Sequence, residues 1–386
     1  MKKINGILNS DIYVEGVGIK KTNLSVFGDT ISAIDDYRII ENKDGYLSLP
    51  EGYIVLPGFI DEHIHGAKNA DARDATKEAL KTIADAEAED GTTAFNFTTR
   101  TRDNNHIENA LAAINDYRKN PSGKSRVMGI HLEGPFISKE FCGAQNVEDI
   151  VPLNAELLNH YYELSGKHIK EVTFSYDPNH KEFLEYRIKN HIAASIGHTN
   201  NTCALALEAI KNGVSIGTHT FNARTGIKHR EMGTAGALRI SDSVSCELIA
   251  DFHHVCPECI KRMYRCKGKD KITLITDSRE AKGRPDGTYQ LGGQKVYVKD
   301  GAARLIDGTL AGSILHLNQA VRNRKNLLSL SLEDAADMAS KNPAKNRGLY
   351  DQIGSIRSGK KADFVIVDKD INVCATIVGG EIVYHK

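Results

Sequence analysis

The chain has 386 residues, 40% of them hydrophobic, which is enough to bury a large core and to divide into two or three domains. Fifty basic residues are balanced by fifty acidic ones, so no excess charge draws the molecule toward nucleic acid or an anionic membrane surface. No apolar run reaches the roughly 20 residues of a membrane span, and Met1-Lys-Lys-Ile-Asn-Gly6 lacks the apolar core of a signal peptide, which points to the cytoplasm.

In chain order, residues 1–56 alternate short β-rich runs with turns, as in Ile12-Tyr-Val14, Leu24-Ser-Val-Phe27 and Thr30-Ile-Ser-Ala-Ile34. Residues 348–386 do the same in Ala362-Asp-Phe-Val-Ile-Val-Asp368 and in the run from Cys374 to Tyr384. Isolated hairpins are marginal in water, so the two ends are predicted to pair into one small β-sandwich beside the segment 57–347. Within that segment eight apolar runs recur, at 59–65, 92–98, 126–133, 170–175, 192–198, 215–219, 245–251 and 271–277. Most are followed by a helical pattern, such as Cys203 to Asn212. This α/β order predicts a (β/α)8 TIM barrel, whose active site lies at the C-terminal ends of the strands. The seven cysteines are odd in number and scattered, unlike a disulfide framework. Cys256-Pro-Glu-Cys259 has the spacing of a redox pair but opens a predicted helix of the barrel, so these read as ordinary reduced thiols.

The chemistry-bearing residues fall at the predicted strand ends. Gly58-Phe-Ile-Asp61-Glu-His63-Ile-His65-Gly66 places two imidazoles two residues apart, on the same side of a strand. Neutral imidazole is the commonest transition-metal ligand, so His63 and His65 offer two arms of a metal site. Glu133, His198, His219 and Asp277 each close one of the apolar runs, at the end where a barrel keeps its active site.

Gly58 to Gly66, together with Gly354-Ser-Ile-Arg-Ser-Gly-Lys-Lys-Ala-Asp-Phe-Val-Ile-Val-Asp368, resembles the amidohydrolase superfamily, whose barrel is flanked by a sandwich built from both termini. Within it, His131-Leu-Glu-Gly-Pro-Phe136, Ser195-Ile-Gly-His-Thr199, His219-Thr-Phe-Asn-Ala223, His229-Arg-Glu231 and Asp286-Gly-Thr-Tyr-Gln-Leu-Gly-Gly293 are similar to the N-acetylglucosamine-6-phosphate deacetylase family, over nearly the whole chain. The resemblance implies that Glu133, His198 and His219 bind a tighter divalent metal, Zn2+ or Fe2+, and that His63 and His65 bind a second ion. Asp277 matches the catalytic carboxylate, and Gln145, with Ala144, matches a position beside the substrate. The substrate class implied is a phosphorylated N-acetyl amino sugar. Asn222, Ala223 and His254 would hold sugar and phosphate, and Leu310, Ala311 and Gly312 would line the site. Arg230 would reach the phosphate in a neighbouring subunit, which implies a homodimer. The galactosamine epimer, a more acidic N-acyl compound and a non-catalytic scaffold of the same fold stand as alternatives.

The chain departs from that family at four positions where many relatives carry Met, here Arg73, Arg100, Arg224 and Arg279. Glu280, Ser175-Tyr176-Asp177 and Met232 depart as well. Two readings follow. The arginines face solvent or pair with acids such as Asp71, Asp74 and Glu280, or they form a cationic mouth that selects a ligand with more negative charge.

Overall fold

Eight parallel strands occupy the eight apolar runs: β1 Phe59–Ile64, β2 Thr92–Thr98, β3 Arg126–Glu133, β4 Ile169–Phe174, β5 Ala193–Ile196, β6 Ile216–Gly217, β7 Ser245–Leu248 and β8 Ile272–Leu274. The computed structural model describes residues 2–35, 43–291 and 294–386. The strands pair in chain order from β1 to β8. Around them lie α1 Lys77–Glu89, α2 Asn104–Lys119, α3 Ala155–Leu164, α4 Lys181–Lys189, α5 Cys203–Lys211, α6 Gly233–Ile240, α7 Pro257–Lys267 and α8 Leu317–Leu328. Thr76, Asp103, Asn154 and Thr202 start four of these helices by accepting a backbone N–H from Ala79, His106, Leu157 and Leu205. Leu80 and Ile83 of α1 and Leu111 and Ile114 of α2 bury their apolar faces in one core with Phe95, Ile130 and Val172 of the strands. The architecture is therefore the (β/α)8 barrel with an additional sheet from the termini.

Strands β5, β6 and β8 stop two or three residues short of the predicted runs. The residues beyond their ends, His198, His219 and Asp277, have φ of 44°, 29° and 47°. A left-handed conformation at an L-residue costs about 1–2 kcal/mol and takes the chain off the strand path. The barrel closes at this same level: the Asp277 N–H donates to the His63 carbonyl at 2.9 Å, and the His65 and Gly66 N–H groups donate to the Ser278 carbonyl at 3.0 Å each.

Below the mouth the barrel holds charge. Arg347, at the end of the short helix Lys341–Asn346, has its side chain buried, with the guanidinium 3.0 Å from Glu62 Oε2 and in hydrogen-bond contact with Glu171 Oε2. Asn346 Nδ2 donates to Glu62 Oε1 at 2.9 Å and to Thr273 Oγ1 at 3.0 Å. Burial raises both carboxyls above the ordinary range in spite of Arg347. Leu349, Tyr350 and Ile353, in the segment assigned from sequence to the sandwich, instead pack with Ile60, Ala94 and Ala344.

The termini meet because Phe364–Val367 pairs antiparallel with Ile54–Pro57. From that seam one sheet of nine strands extends through Gly6–Val14 and Gly18–Phe27 on one side and Val373–Val378 and Glu381–His385 on the other. It curls over a core of Ile7, Ile12, Leu24, Ile31, Val55, Phe364, Ile366 and Ile377, and a bridge between Thr30 and Lys361 joins its far parts. The sequence patterns did not disclose a three-stranded sheet, Gly287–Leu291, Gln294–Lys299 and Ala302–Arg304, inserted between β8 and α8. Of the motif that ends at Gly293, Gly292 and Gly293 lie outside the described residues.

Removing one member of a buried ion pair leaves the other charge uncompensated, at a cost of about 3–5 kcal/mol. Arg347→Met is therefore expected to lower unfolding stability by about that amount in urea denaturation. A loss below about 1 kcal/mol would mean that the pair contributes no more than an exposed one.

Candidate metal centre and active site

Glu133, at the end of β3, lies at the centre of the barrel mouth. Its Oε1 is 3.2 Å from His198 Nε2 and 3.0 Å from His219 Nε2, and the two imidazole nitrogens are 3.0 Å from each other. All three residues are buried. Metal–ligand bonds of about 2.0–2.1 Å in a tetrahedral site separate ligand atoms by about 3.3 Å, so this triangle fits a divalent ion. His198 Nδ1 donates to the Phe141 carbonyl at 2.8 Å, which leaves a bare lone pair on Nε2.

His63 and His65 complete a second group. Both face Asp277 Oδ1, with Nε2 distances of 3.5 and 3.1 Å, and both face Glu133, at 3.6 Å to Oε1 and 3.5 Å to Oε2. Their outer nitrogens are engaged: His63 Nδ1 meets Glu247 Oε2 at 3.0 Å and His65 Nδ1 donates to the Thr98 carbonyl at 3.2 Å. Among the described residues His63 Nε2 is buried without a hydrogen-bond partner, as expected of a nitrogen oriented for a cation. The groups His63–His65–Glu133 and Glu133–His198–His219, each able to hold a metal ion, share Glu133.

The electrostatics agree with this placement. Burial opposes charge on His63, but the Asp277 and Glu247 carboxylates outweigh it and raise its pKa well above the ordinary imidazole value. Burial likewise opposes charge on Glu133 and Asp277, yet the surrounding imidazoles hold both carboxyls well below the usual range. His219 is lowered by its burial. A cluster of ionised carboxylates and inward lone pairs is stabilised by a cation.

Gln145 sits against this group, its Nε2 donating to Glu133 Oε2 at 2.9 Å and lying 3.3 Å from His198 Nε2, while its Oε1 accepts from the Thr101 N–H at 2.7 Å. Ala144 lines the same recess. Asn222 and Ala223 follow His219 directly, with the Asn222 side chain donating to the His219 carbonyl at 3.3 Å. The His254 ring bonds Asp251 at 2.6 Å; burial opposes its charge, but Asp251, with Asp277 acting at longer range, raises its pKa. Arg230 is exposed. Leu310, Ala311 and Gly312 form a turn against Arg279: the Ala311 carbonyl accepts from Arg279 Nη1 at 3.0 Å, and a Cβ at Gly312 would stand 2.1 Å from Arg279 Cδ.

The four arginines do not form one rim. Arg73 is locked by Asp71, at 2.7 Å in a two-pronged contact, and by Glu280 at 3.2 Å. Arg224 is buried and turned toward the backbone, donating to the carbonyls of Ile196, Thr218 and Asn222, so it holds the ends of β5 and β6 that carry His198 and His219. Arg100 and Arg279 reach a common cavity beside Gln145. Sequence patterns also passed over Glu247. It accepts from the His219 backbone N–H at 2.9 Å and meets the His63 ring, and its signal was a lone acid inside the buried strand Ser245-Cys-Glu-Leu248.

The chain matches the amidohydrolase family over residues 54–383, more than half its length, and it belongs to that family. Several of its relatives are named as deacetylases of phosphorylated amino sugars. An N-acetylglucosamine-6-phosphate deacetylase from Bacillus subtilis is 38% identical over 377 residues, spanning 97% of this chain and 95% of that one. An N-acetylgalactosamine-6-phosphate deacetylase from Escherichia coli is 31% identical, spanning 85% of this chain and 87% of that one. The crystal structure of N-acetylglucosamine-6-phosphate deacetylase from Thermotoga maritima superposes with a TM-score of 0.87 at 34% identity, over 99% of this chain and 100% of that one.

The geometry gives a direct expectation for metal content. Because His219 belongs to the tight triangle and His63 to the wider group, His219→Ala should lose the ion that resists dialysis, while His63→Ala retains it. Elemental analysis of the purified variants decides the point, and full occupancy in His219→Ala would remove that residue from the ligand set.

Proposed function

We propose that the protein hydrolyses the N-acetyl group of N-acetylglucosamine-6-phosphate, releasing glucosamine-6-phosphate and acetate in amino-sugar breakdown. The observation that carries this reading is the convergence of Asp277 Oδ1 with the Glu133, His198 and His219 cluster in a chain whose relatives bear that activity in their names. An amide is a poor electrophile with a poor leaving group, so its hydrolysis needs an activated water, a polarised carbonyl and a proton for the nitrogen. A zinc or iron(II) ion held by Glu133, His198 and His219, with a second ion at His63 and His65, would supply the Lewis acidity for the first two.

The remaining work falls to the chain. Asp277, kept ionised by the imidazoles around it, takes a proton from the attacking water and delivers it to the departing nitrogen. Gln145 Nε2 points into the same group and donates to the oxyanion that develops at the carbonyl. Asn222, Ala223 and His254 hold the sugar and its phosphate, and the turn Leu310–Gly312 borders them. Arg230, exposed beyond β6, donates to the phosphate in a partner subunit of a homodimer, where a guanidinium fork suits that anion. No helix among the described residues is long and apolar enough to cross a membrane, and the sugar phosphate substrate accords with a cytoplasmic enzyme.

Asp277→Asn preserves size but cannot accept the water's proton. Substrate should still bind in calorimetry while turnover falls about 100-fold or more; near-normal turnover would assign the proton shuttle to another group. Arg230→Ala should raise KM. Mixing it with Asp277→Asn should restore activity, since one mixed-dimer site then has both residues intact; no recovery on subunit exchange would place Arg230 in its own subunit's site or outside it.

A further inference from the structure

The proposed function leaves one built feature unused. Between the ends of β2, β3 and β8 lies a cavity of about 400 Å3, lined by Arg100, Thr101, Arg102, Gln145, Asn146 and Arg279. Arg100 is only 8% exposed, and among the described residues its guanidinium has no hydrogen-bond partner. Its neighbours make this costly. Asp71 and Glu280, the nearby acids, are already taken up by Arg73, and Glu280 also stands 3.4 Å from Arg279. Burial, and then repulsion from Arg279 and Arg73, push Arg100 down to about 9, so it stays charged at neutral pH. A buried, charged and unpaired guanidinium beside a second one calls for an anion from outside the chain.

Where that anion comes from follows from the barrel order. If Asn222, Ala223 and His254 hold the sugar side of the amide, as proposed above, that side lies over β6 and β7. The arginine cavity lies across the mouth, over β2 and β3, with Gln145 between it and Glu133. A substrate whose carbonyl sits at the metal centre thus directs its acyl group toward Arg100 and Arg279. We propose that this cavity is an acyl subsite for a carboxylate, so that the enzyme hydrolyses phosphorylated amino sugars whose N-acyl group ends in a carboxylate, of the malonyl or succinyl kind, in preference to uncharged acyl groups of the same length. The bond changes are those of the acetyl reaction: the amide C–N bond breaks, a C–O bond to the water oxygen forms, and the water's proton goes to the amine. The products are the amino sugar phosphate and a dicarboxylate. The inference rests on the deacylase reading above and extends it to the acyl group.

The test compares kcat/KM for N-succinyl-glucosamine-6-phosphate, for its terminal primary amide and for N-acetylglucosamine-6-phosphate. The succinyl compound should exceed its uncharged amide by about tenfold or more at low salt, with the ratio shrinking as salt rises. Arg100→Met should bring that ratio to within about threefold of unity while leaving kcat/KM on the N-acetyl compound within about threefold; Arg100→Gln serves if the Met variant does not fold. A ratio near one in the natural enzyme, or one unchanged in both variants, overturns the proposal. So does Arg100-dependent inhibition by free succinate or inorganic phosphate without any succinyl preference, which would make the cavity a site for a free anion. Failure to hydrolyse any of the three compounds would instead sink the deacylase reading itself.

Discussion

Glu133 Oε1 has three imidazole nitrogens within 3.6 Å, from His63, His198 and His219, and those of His198 and His219 lie 3.0 Å from each other. His198, with its Nδ1 fixed by the Phe141 carbonyl, presents a lone pair to that carboxylate, whereas His63 is flanked by the Glu133, Glu247 and Asp277 carboxylates. A divalent ion would turn that crowding into bonding. The barrel is what forces it: β1, β3, β5 and β6 each deliver one residue or pair, and the backbone bonds that close the barrel run from His63, His65 and Gly66 to Asp277 and Ser278. Fold closure and site assembly are thus one event.

The same constraint explains the local cost accepted at the rim. His198, His219 and Asp277 have left-handed backbones, a conformation retained only where the surroundings over-determine it. Here the surroundings are specific. Glu247 receives the His219 N–H, Phe141 receives the His198 ring, and Arg224 binds the strand-end carbonyls beneath both. Arg224 thus supports the turns that carry His198 and His219. Lower in the barrel, Arg347 reaches in from the C-terminal helices to balance Glu62 and Glu171, so the interior is stabilised by charge where many barrels use aliphatic layers.

The four arginines Arg73, Arg100, Arg224 and Arg279 therefore have three different fates. Arg224 is structural, Arg73 is neutralised by Asp71 and Glu280, and Arg100 with Arg279 borders a cavity. Charge of this kind cannot be exchanged for a methionine thioether without changing what the cavity binds. The Glu133 cluster and the arginine cavity are thus built from different residues, with Gln145 between them.

The order of elements was legible in the sequence, because buried parallel strands are short apolar runs and helices announce their starts through residues such as Thr76, Asp103, Asn154 and Thr202. The candidates His63, His65, Glu133, His198, His219 and Asp277 were legible too, since an acid or imidazole at the end of such a run has no packing reason to be there. Linear patterns could not give the left-handed turns that end β5, β6 and β8, the support from Glu247, or the three-stranded insertion after β8. Each depends on partners far along the chain: Glu247 lies 184 residues from His63. The arginines show the limit most clearly. Sequence supplied four equal positive charges, and only their tertiary neighbours, a carboxylate for Arg73, backbone carbonyls for Arg224 and an open cavity for Arg100 and Arg279, decided what each charge does.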